Sequence, residues 1–144
     1  VVYVCNIMTQ PAETRSFTAE DHLRTVLDYL GDTDNSGPVV NYCIINKEAI
    51  DERYLKRYME ANAEPVRPTI AELEALGVIV IADDLMEIAG GNIRHDATRL
   101  ARHLARLAAL ELERRVSQAR TRIYTRLETN QEAGQETDGS GGRI

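Results

Sequence analysis

The chain has 144 residues, 43% of them apolar and 28% charged, which is enough for one domain with a buried core and fits a single soluble α/β unit. A formal net charge of −6 argues against nonspecific nucleic-acid binding. No run approaches the roughly 18 apolar residues of a membrane helix and no signal peptide is recognisable, so a soluble, cytoplasmic protein is expected. Cys5 and Cys43 lie singly inside apolar runs, with no CxxC spacing and no Cys/His cluster nearby, and read as buried thiols in a reducing cytosol.

Val1 to Cys5 is β-branched and aromatic without charge, the pattern of a strand covered on both faces. Pro11 stops the ladder, which leaves Asn6, Thr9, Gln10, Glu13 and Thr14 in the loop past the strand's carboxyl end, where open α/β sheets bind ligands. The chain opens inside this strand, so a fragment lacking its amino-terminal part is expected. Thr18 and Asp21 form a capping box, followed by a helix with Leu23, Val26, Leu27 and Leu30 on one stripe and Gly31 as its stop. Asp32 to Pro38 is a polar loop.

Val39 to Asn46 is the second strand. If the intervening helix makes a right-handed crossover, Asn6 and Asn46 emerge at the same edge of the sheet; asparagine as a plain turn residue is the alternative. A covering helix over 51–62 presents Tyr54, Leu55, Tyr58 and Met59, and two prolines leave room for only a short extended segment over 64–68. A short helix from Ile70 to Leu76 ends at Gly77. Val78 to Ala82 is a third strand with Asp83 and Asp84 at its carboxyl end.

Gly90, Gly91 and Asn92 read as a turn, with Ile93 a single extended residue and Asp96 the N-cap of a helix through Leu100, Leu104, Leu107 and Ala108. Arg94 and His95 therefore precede a helix amino terminus, where free N–H groups attract anions. Beyond Leu107 the apolar stripe rotates to Leu112, Val116, Ala119, Ile123 and Leu127, as expected of an extension packing on a neighbouring segment or, in a homo-oligomer, on another subunit. Nine arginines face three carboxylates between Arg94 and Arg126, so that segment carries +6 and the remainder −12. Only Tyr124 interleaves as an aromatic, which suits a solvated basic face or a surface for an acidic partner rather than nucleic acid. Residues 128–144 have almost nothing to bury and are expected to form a disordered tail.

Three strand ends and one helix start thus converge on a polar rim of Asn6, Thr9, Gln10, Thr14, Asn46, Asp83, Arg94, His95 and Asp96, suited to a phosphorylated ligand. Arg94 supplies the bidentate fork and the amides and hydroxyls read sugar or base edges. His95 with Asp96 could also be a catalytic or metal pair, but no other histidine stands at ligand spacing on the same element; His22 and His103 suit packing or surface positions. Asp83 and Asp84 suit either magnesium or a strand-end turn.

The residues Val4-Cys5-Asn6-Ile7-Met8-Thr9-Gln10-Pro11-Ala12-Glu13-Thr14, then Thr18-Ala19-Glu20-Asp21-His22, Asn46, and Gly91-Asn92-Ile93-Arg94-His95-Asp96, resemble in order the bacterial gluconeogenesis-factor family, related to the 2-phospho-L-lactate transferases. The resemblance covers about Val1 to Leu112. It implies a three-layer, Rossmann-like α/β/α fold, mostly parallel and incomplete in this chain. It also implies a cytoplasmic regulator that binds uridine-diphosphate (UDP) sugars and supports gluconeogenic growth and cell shape, with Arg94 at the nucleotide sugar. The alternative it implies is a transferase that uses a guanylated donor and magnesium. The family's glycine-rich loop after its first strand is absent, Ala12 replaces a usual glycine, and Ala97 stands where some members carry a phosphorylatable threonine. The expected organisation is a binding domain over 1–112, a helical extension over 113–127 and the tail.

Overall fold

The computed structural model describes residues 1–31 and 39–136, with 127–136 as backbone only. The loop expected over 32–38 and the last part of the tail, 137–144, lie outside the described residues. The chain divides into two compact units, Val1–Leu100 and Ala101 onward.

In the first unit, strands β1 (Val2–Val4), β2 (Tyr42–Asn46) and β3 (Ile79–Asp83) form a parallel sheet in the order β1-β2-β3. Parallel neighbours need crossover connections. Helix α1 (Ala19–Leu30) lies between β1 and β2 in sequence, and α2 (Glu52–Glu60) and α3 (Ile70–Ala75) lie between β2 and β3. The expected α/β class with a parallel sheet is what the chain forms. Strands β1 and β2 are shorter than their apolar runs, and β3 is shifted by one residue to end on Asp83. Both Asn41 and Tyr42 donate to the Val1 carbonyl, at 2.9 and 3.3 Å, so laddering of β2 starts only at Tyr42, although Val40 is buried.

Register explains which side chains meet. Tyr3 pairs with Cys43 and Cys43 with Val80, while Ile45 pairs with Ala82, so these residues share one face of the pleat. That face packs on Leu23 of α1 and Leu73 of α3, both fully buried, together with Cys5, Ala19, Val40 and Val78. Ile44, also fully buried, points to the opposite face.

The capping box of α1 forms as expected. The Thr18 hydroxyl accepts from the Asp21 N–H at 3.2 Å, and the Asp21 carboxylate accepts from the Thr18 N–H at 2.8 Å. Gly31 closes the helix with φ of 71°. The expected stripe is cut short, since Leu30 is 46% exposed. Met59, placed on the buried face of α2, is likewise exposed, leaving Tyr54, Leu55 and Tyr58 as its half-buried side. His22 is a packing residue: it is buried, its Nδ1 lies 2.8 Å from the Thr18 carbonyl, and its ring meets Phe17 edge-on.

The largest departure from the sequence reading is a hairpin. Strands β4 (Met86–Ala89) and β5 (Asn92–His95) pair antiparallel around Gly90 and Gly91, whose φ values of 58° and 76° are those of a tight two-residue turn. What was read as a turn with one extended residue is therefore a two-stranded unit, and Arg94 and His95 lie within a strand. Helix α4 (Ala97–Glu136) follows. Its backbone runs through Glu128 to Glu136, into the stretch expected to be an unstructured tail. Among the described residues no helix is long and apolar enough to cross a membrane.

Candidate functional site

Past β1 the chain is held extended by a segment distant in sequence. Val66 donates to the Ile7 carbonyl at 2.9 Å and Thr9 to the Glu64 carbonyl at 2.8 Å, with Met8 opposite Pro65. Pro65 sits where the bridge needs no donor from it, and the proline-rich stretch pairs only briefly, as the short extended segment expected over 64–68. The Thr9 hydroxyl accepts from the Glu64 N–H at 3.0 Å and the residue is 3% exposed. Thr9 therefore fastens this bridge instead of facing a ligand.

The fastened loop and the β4–β5 hairpin border an open cleft of about 220 Å³, lined by Asn6, Ile7, Met8, Gln10, Tyr58, Ile93, Arg94 and His95. Four of the residues expected at the site meet here: Asn6, Gln10, Arg94 and His95. Asn6, Gln10 and Arg94 are exposed. Nothing among the described residues pairs with the Arg94 guanidinium. His95 is oriented by its Nε2, 3.1 Å from the Cys5 carbonyl. The hairpin is pinned to α2 by the Tyr58 hydroxyl, which accepts from the Ile93 N–H at 2.8 Å, and by Arg57, which donates to the Asn92 side chain at 2.9 Å. Tyr58 was legible only as a covering-helix residue. Its phenol, a polar tip on an apolar body, was the available signal.

The other expected residues do different work. Thr14 lies in the turn after the loop, its hydroxyl accepting from the Gln10 N–H at 2.9 Å, and so shapes the loop that carries Gln10. The Asn46 side-chain oxygen accepts from the Leu85 N–H at 2.9 Å and its amide donates to the Glu48 carbonyl at 3.0 Å. Asn46 thereby ties the end of β2 to the entry of the hairpin, and it borders a second cleft of about 210 Å³ that shares Ile7 with the first.

Asp96 corrects the expectation of free N–H groups at the start of α4. Its carboxylate accepts from the Thr98 and Arg99 N–H groups, each at 2.9 Å, and its carbonyl from Leu100. The helix amino terminus is thus already occupied by a negative charge, and the cationic feature of the cleft is the Arg94 side chain.

Asp83 is the last residue of β3, and its carboxylate accepts from the Asp84 N–H at 2.8 Å, the geometry of the strand-end turn. Arg99 donates to the Asp84 carbonyl at 2.6 Å. Among the described residues no group of three or more potential metal ligands clusters. Burial pushes the Cys5 thiol up to about 12 and that of Cys43 to about 11, and raises the Tyr3 phenol as well. Both cysteines are free and remain protonated, which removes a thiolate nucleophile from consideration.

The chain as a whole has counterparts among known proteins. The chain is 35% identical over 103 residues to a protein of Clostridium acetobutylicum named putative gluconeogenesis factor, covering 72% of this chain and 22% of that protein. It is 35% identical over 100 residues to the gluconeogenesis factor of Bacillus subtilis, covering 69% of this chain and 30% of the relative. A crystal structure of a UPF0052 family member from Bacillus halodurans superposes with a TM-score of 0.65 at 33% identity, covering 71% of this chain and 31% of that one. The chain thus spans about a third or less of the relatives it matches. The model of the family described as 2-phospho-L-lactate transferase CofD matches residues 1–86, more than half of the sequence, and the chain belongs to that family.

Proposed function

We propose that this chain supplies one wall of a nucleotide-sugar site in a cytoplasmic regulatory protein that supports gluconeogenic growth and cell shape, with a UDP-sugar as ligand. The observation that carries the reading is the meeting of the unpaired Arg94 with the exposed amides of Asn6 and Gln10 in one cleft. A diphosphate offers Arg94 a charge-assisted, bidentate partner. The two amides offer donors and acceptors to ribose, base or sugar hydroxyls, and Tyr58 and Ile93 give the cleft a wall against which a ring can lie. The names carried by the clostridial and Bacillus relatives support the gluconeogenic role. Calorimetric titration of the whole protein with UDP-sugars, comparing wild type with Arg94→Ala, tests the reading. Loss of one charge-assisted contact costs about 1.5–3 kcal/mol, and equal affinity of the two proteins sinks the role given to Arg94.

The family description favours a second reading, a transferase acting with a guanylated donor. It predicts magnesium-dependent turnover that is lost on replacing Asp83 or Asp84 by asparagine, with the rest of the metal's ligands coming from the donor's phosphates. Absence of turnover with such a donor, together with retained UDP-sugar binding, leaves the regulatory reading in place.

A further inference from the structure

We infer that α4 between Ala105 and Arg126 is a docking face for a helix of an acidic partner protein. Ala105, Ala109, Leu112, Val116, Ala119 and Ile123 are spaced alternately four and three residues apart, the 3.5-residue repeat of a two-helix seam rather than the broader stripe of a helix lying on a sheet. All six are exposed. Leu112 is 64%, Val116 45% and Ile123 59% exposed, although each is large enough to gain from burial. Val116 and Ile123 fall at one core position of the repeat and Leu112 at the other, the distribution that favours two strands.

The charges beside the seam decide what the second strand is. Arg106 and Arg120 flank it on one side with Glu113, and Arg115 and Arg122 flank it on the other. A parallel pair of two copies sets Arg115 of one against Arg120 of the other, and an antiparallel pair faces the Arg115–Arg122 flank with itself. Either arrangement stacks like charges along the contact. The ion pair between Arg114 and Glu111, at 3.1 Å, lies on the side of the helix away from the seam and relieves none of this. A helix with the same apolar repeat and glutamate or aspartate on its flanks satisfies both features at once. Nucleic acid satisfies the charges but not the apolar seam.

The test uses the intact protein and two designed helical peptides about four heptads long, identical in their leucine and isoleucine core and carrying glutamate or lysine on the flanks. Anisotropy titration at low salt is expected to show the glutamate peptide binding about tenfold tighter or more, with the gap narrowing as salt screens the flanks. Val116→Ser with Ile123→Ser abolishes that binding, and Arg115→Glu with Arg122→Glu transfers the preference to the lysine peptide. These residues lie outside the unit Val1–Leu100, and the unfolding midpoint of each variant is measured beside its binding, so that loss of binding without loss of fold is read directly. Equal binding of the two peptides, or binding of neither, overturns the inference. So does self-association that the serine variants remove, which assigns the seam to a second copy, or displacement of the glutamate peptide by duplex DNA that binds the serine variants undiminished.

Discussion

His95 Nε2 lies 3.1 Å from the carbonyl oxygen of Cys5, a contact spanning 90 residues that joins the exit of β1 to the end of β5. A carbonyl only accepts, so Nε2 is the donor in this contact. The same contact holds the two halves of the cleft in register, Asn6 following Cys5 directly and Arg94 preceding His95.

His95→Ala is therefore expected to act on both stability and binding. Loss of one hydrogen bond lowers unfolding stability by about 0.5–1.5 kcal/mol, read as a shift of the urea midpoint without a change of slope. Affinity for the cleft's ligand falls as well, because Arg94 loses its fixed distance from Asn6. Unchanged affinity alongside reduced stability makes His95 a fold residue alone.

Asn46 separates a structural role from a ligand role. Leu85 is fully buried and its N–H has the Asn46 oxygen as partner. Asn46→Ala leaves that donor unsatisfied and is expected to cost about 1–3 kcal/mol of stability. Asn46→Asp keeps the acceptor, loses the bond to Glu48, and is expected to recover much of the difference. If Asn46→Ala instead leaves the unfolding midpoint alone and weakens only ligand binding, the residue belongs to the site and not to the hairpin's entry.

How far the sequence carried the reading differs between these residues for physical reasons. Helix α1 was legible because its signals are local: Thr18, Asp21 and Gly31 act within one turn of the helix ends, and their geometry depends on nothing distant. The parallel sheet followed from apolar runs separated by helices. The β4–β5 hairpin was missed because its strands are four residues each and their neighbours, Tyr58 and Asn46, come from elsewhere in the chain. The pairing of Gly90 and Gly91 between Ile88 and Ile93 was the available signal. Thr9 and Asn46 could not be told from ligand residues by type, since an oxygen that accepts from a buried N–H and one that accepts from a sugar are the same side chain. Asn6, Gln10, Arg94 and His95 line one cleft, Asn6 and Gln10 from the segment past β1 and Arg94 and His95 from β5, although the sequence pattern pointed to a helix start for the last two.

The hairpin turn gives a prediction in which sterics and backbone disagree. A methyl group at Gly91 meets only Arg57 Nη1 at 3.8 Å, and at Gly90 it meets nothing, so space is not the constraint. The φ values of 58° and 76° are. Alanine at either position is expected to cost about 1–2 kcal/mol, while Gly90→Asn is expected to be milder because asparagine tolerates the left-handed region. Hydrogen exchange over Met86–His95 reports the loosening directly, and protection equal to wild type in Gly90→Ala contradicts the turn assignment.

Core substitutions separate the sheet from the site. Leu23 and Leu73 are fully buried on the same face and touch one cluster with Cys43 and Ile45. Leu23→Ala or Leu73→Ala is expected to destabilise by about 2–5 kcal/mol, the range for emptying a leucine-sized space in a packed interior. Because the two leucines share that cluster, the double variant is expected to deviate from additivity, measured as a coupling energy in a double-mutant cycle. A coupling of zero would falsify the shared core.

Acid sensitivity has a defined origin in α1. The Asp21 carboxyl is held below its ordinary range first by the Thr18 backbone N–H and then by the Thr18 hydroxyl, each 2.8 Å from Oδ2. A carboxylate whose folded value is depressed contributes stability that is fully present above its unfolded value, near 3.9, and that is lost as pH falls through the folded value. Asp51 is lowered to about 2 by Arg53, but both groups are solvent-exposed and the pair is screened, so its share of the acid limb is small. Asp21→Asn is therefore expected to be less stable than wild type at neutral pH, with the gap closing below about pH 4 as the wild-type carboxylate protonates. Thr18→Ala, which removes the hydroxyl cap, is expected to cost about 1 kcal/mol at neutral pH, also losing part of that cost in acid. Urea unfolding of the three proteins at several pH values measures both. A gap between wild type and Asp21→Asn that stays constant from neutral pH to pH 3 rules out the charged cap as the source.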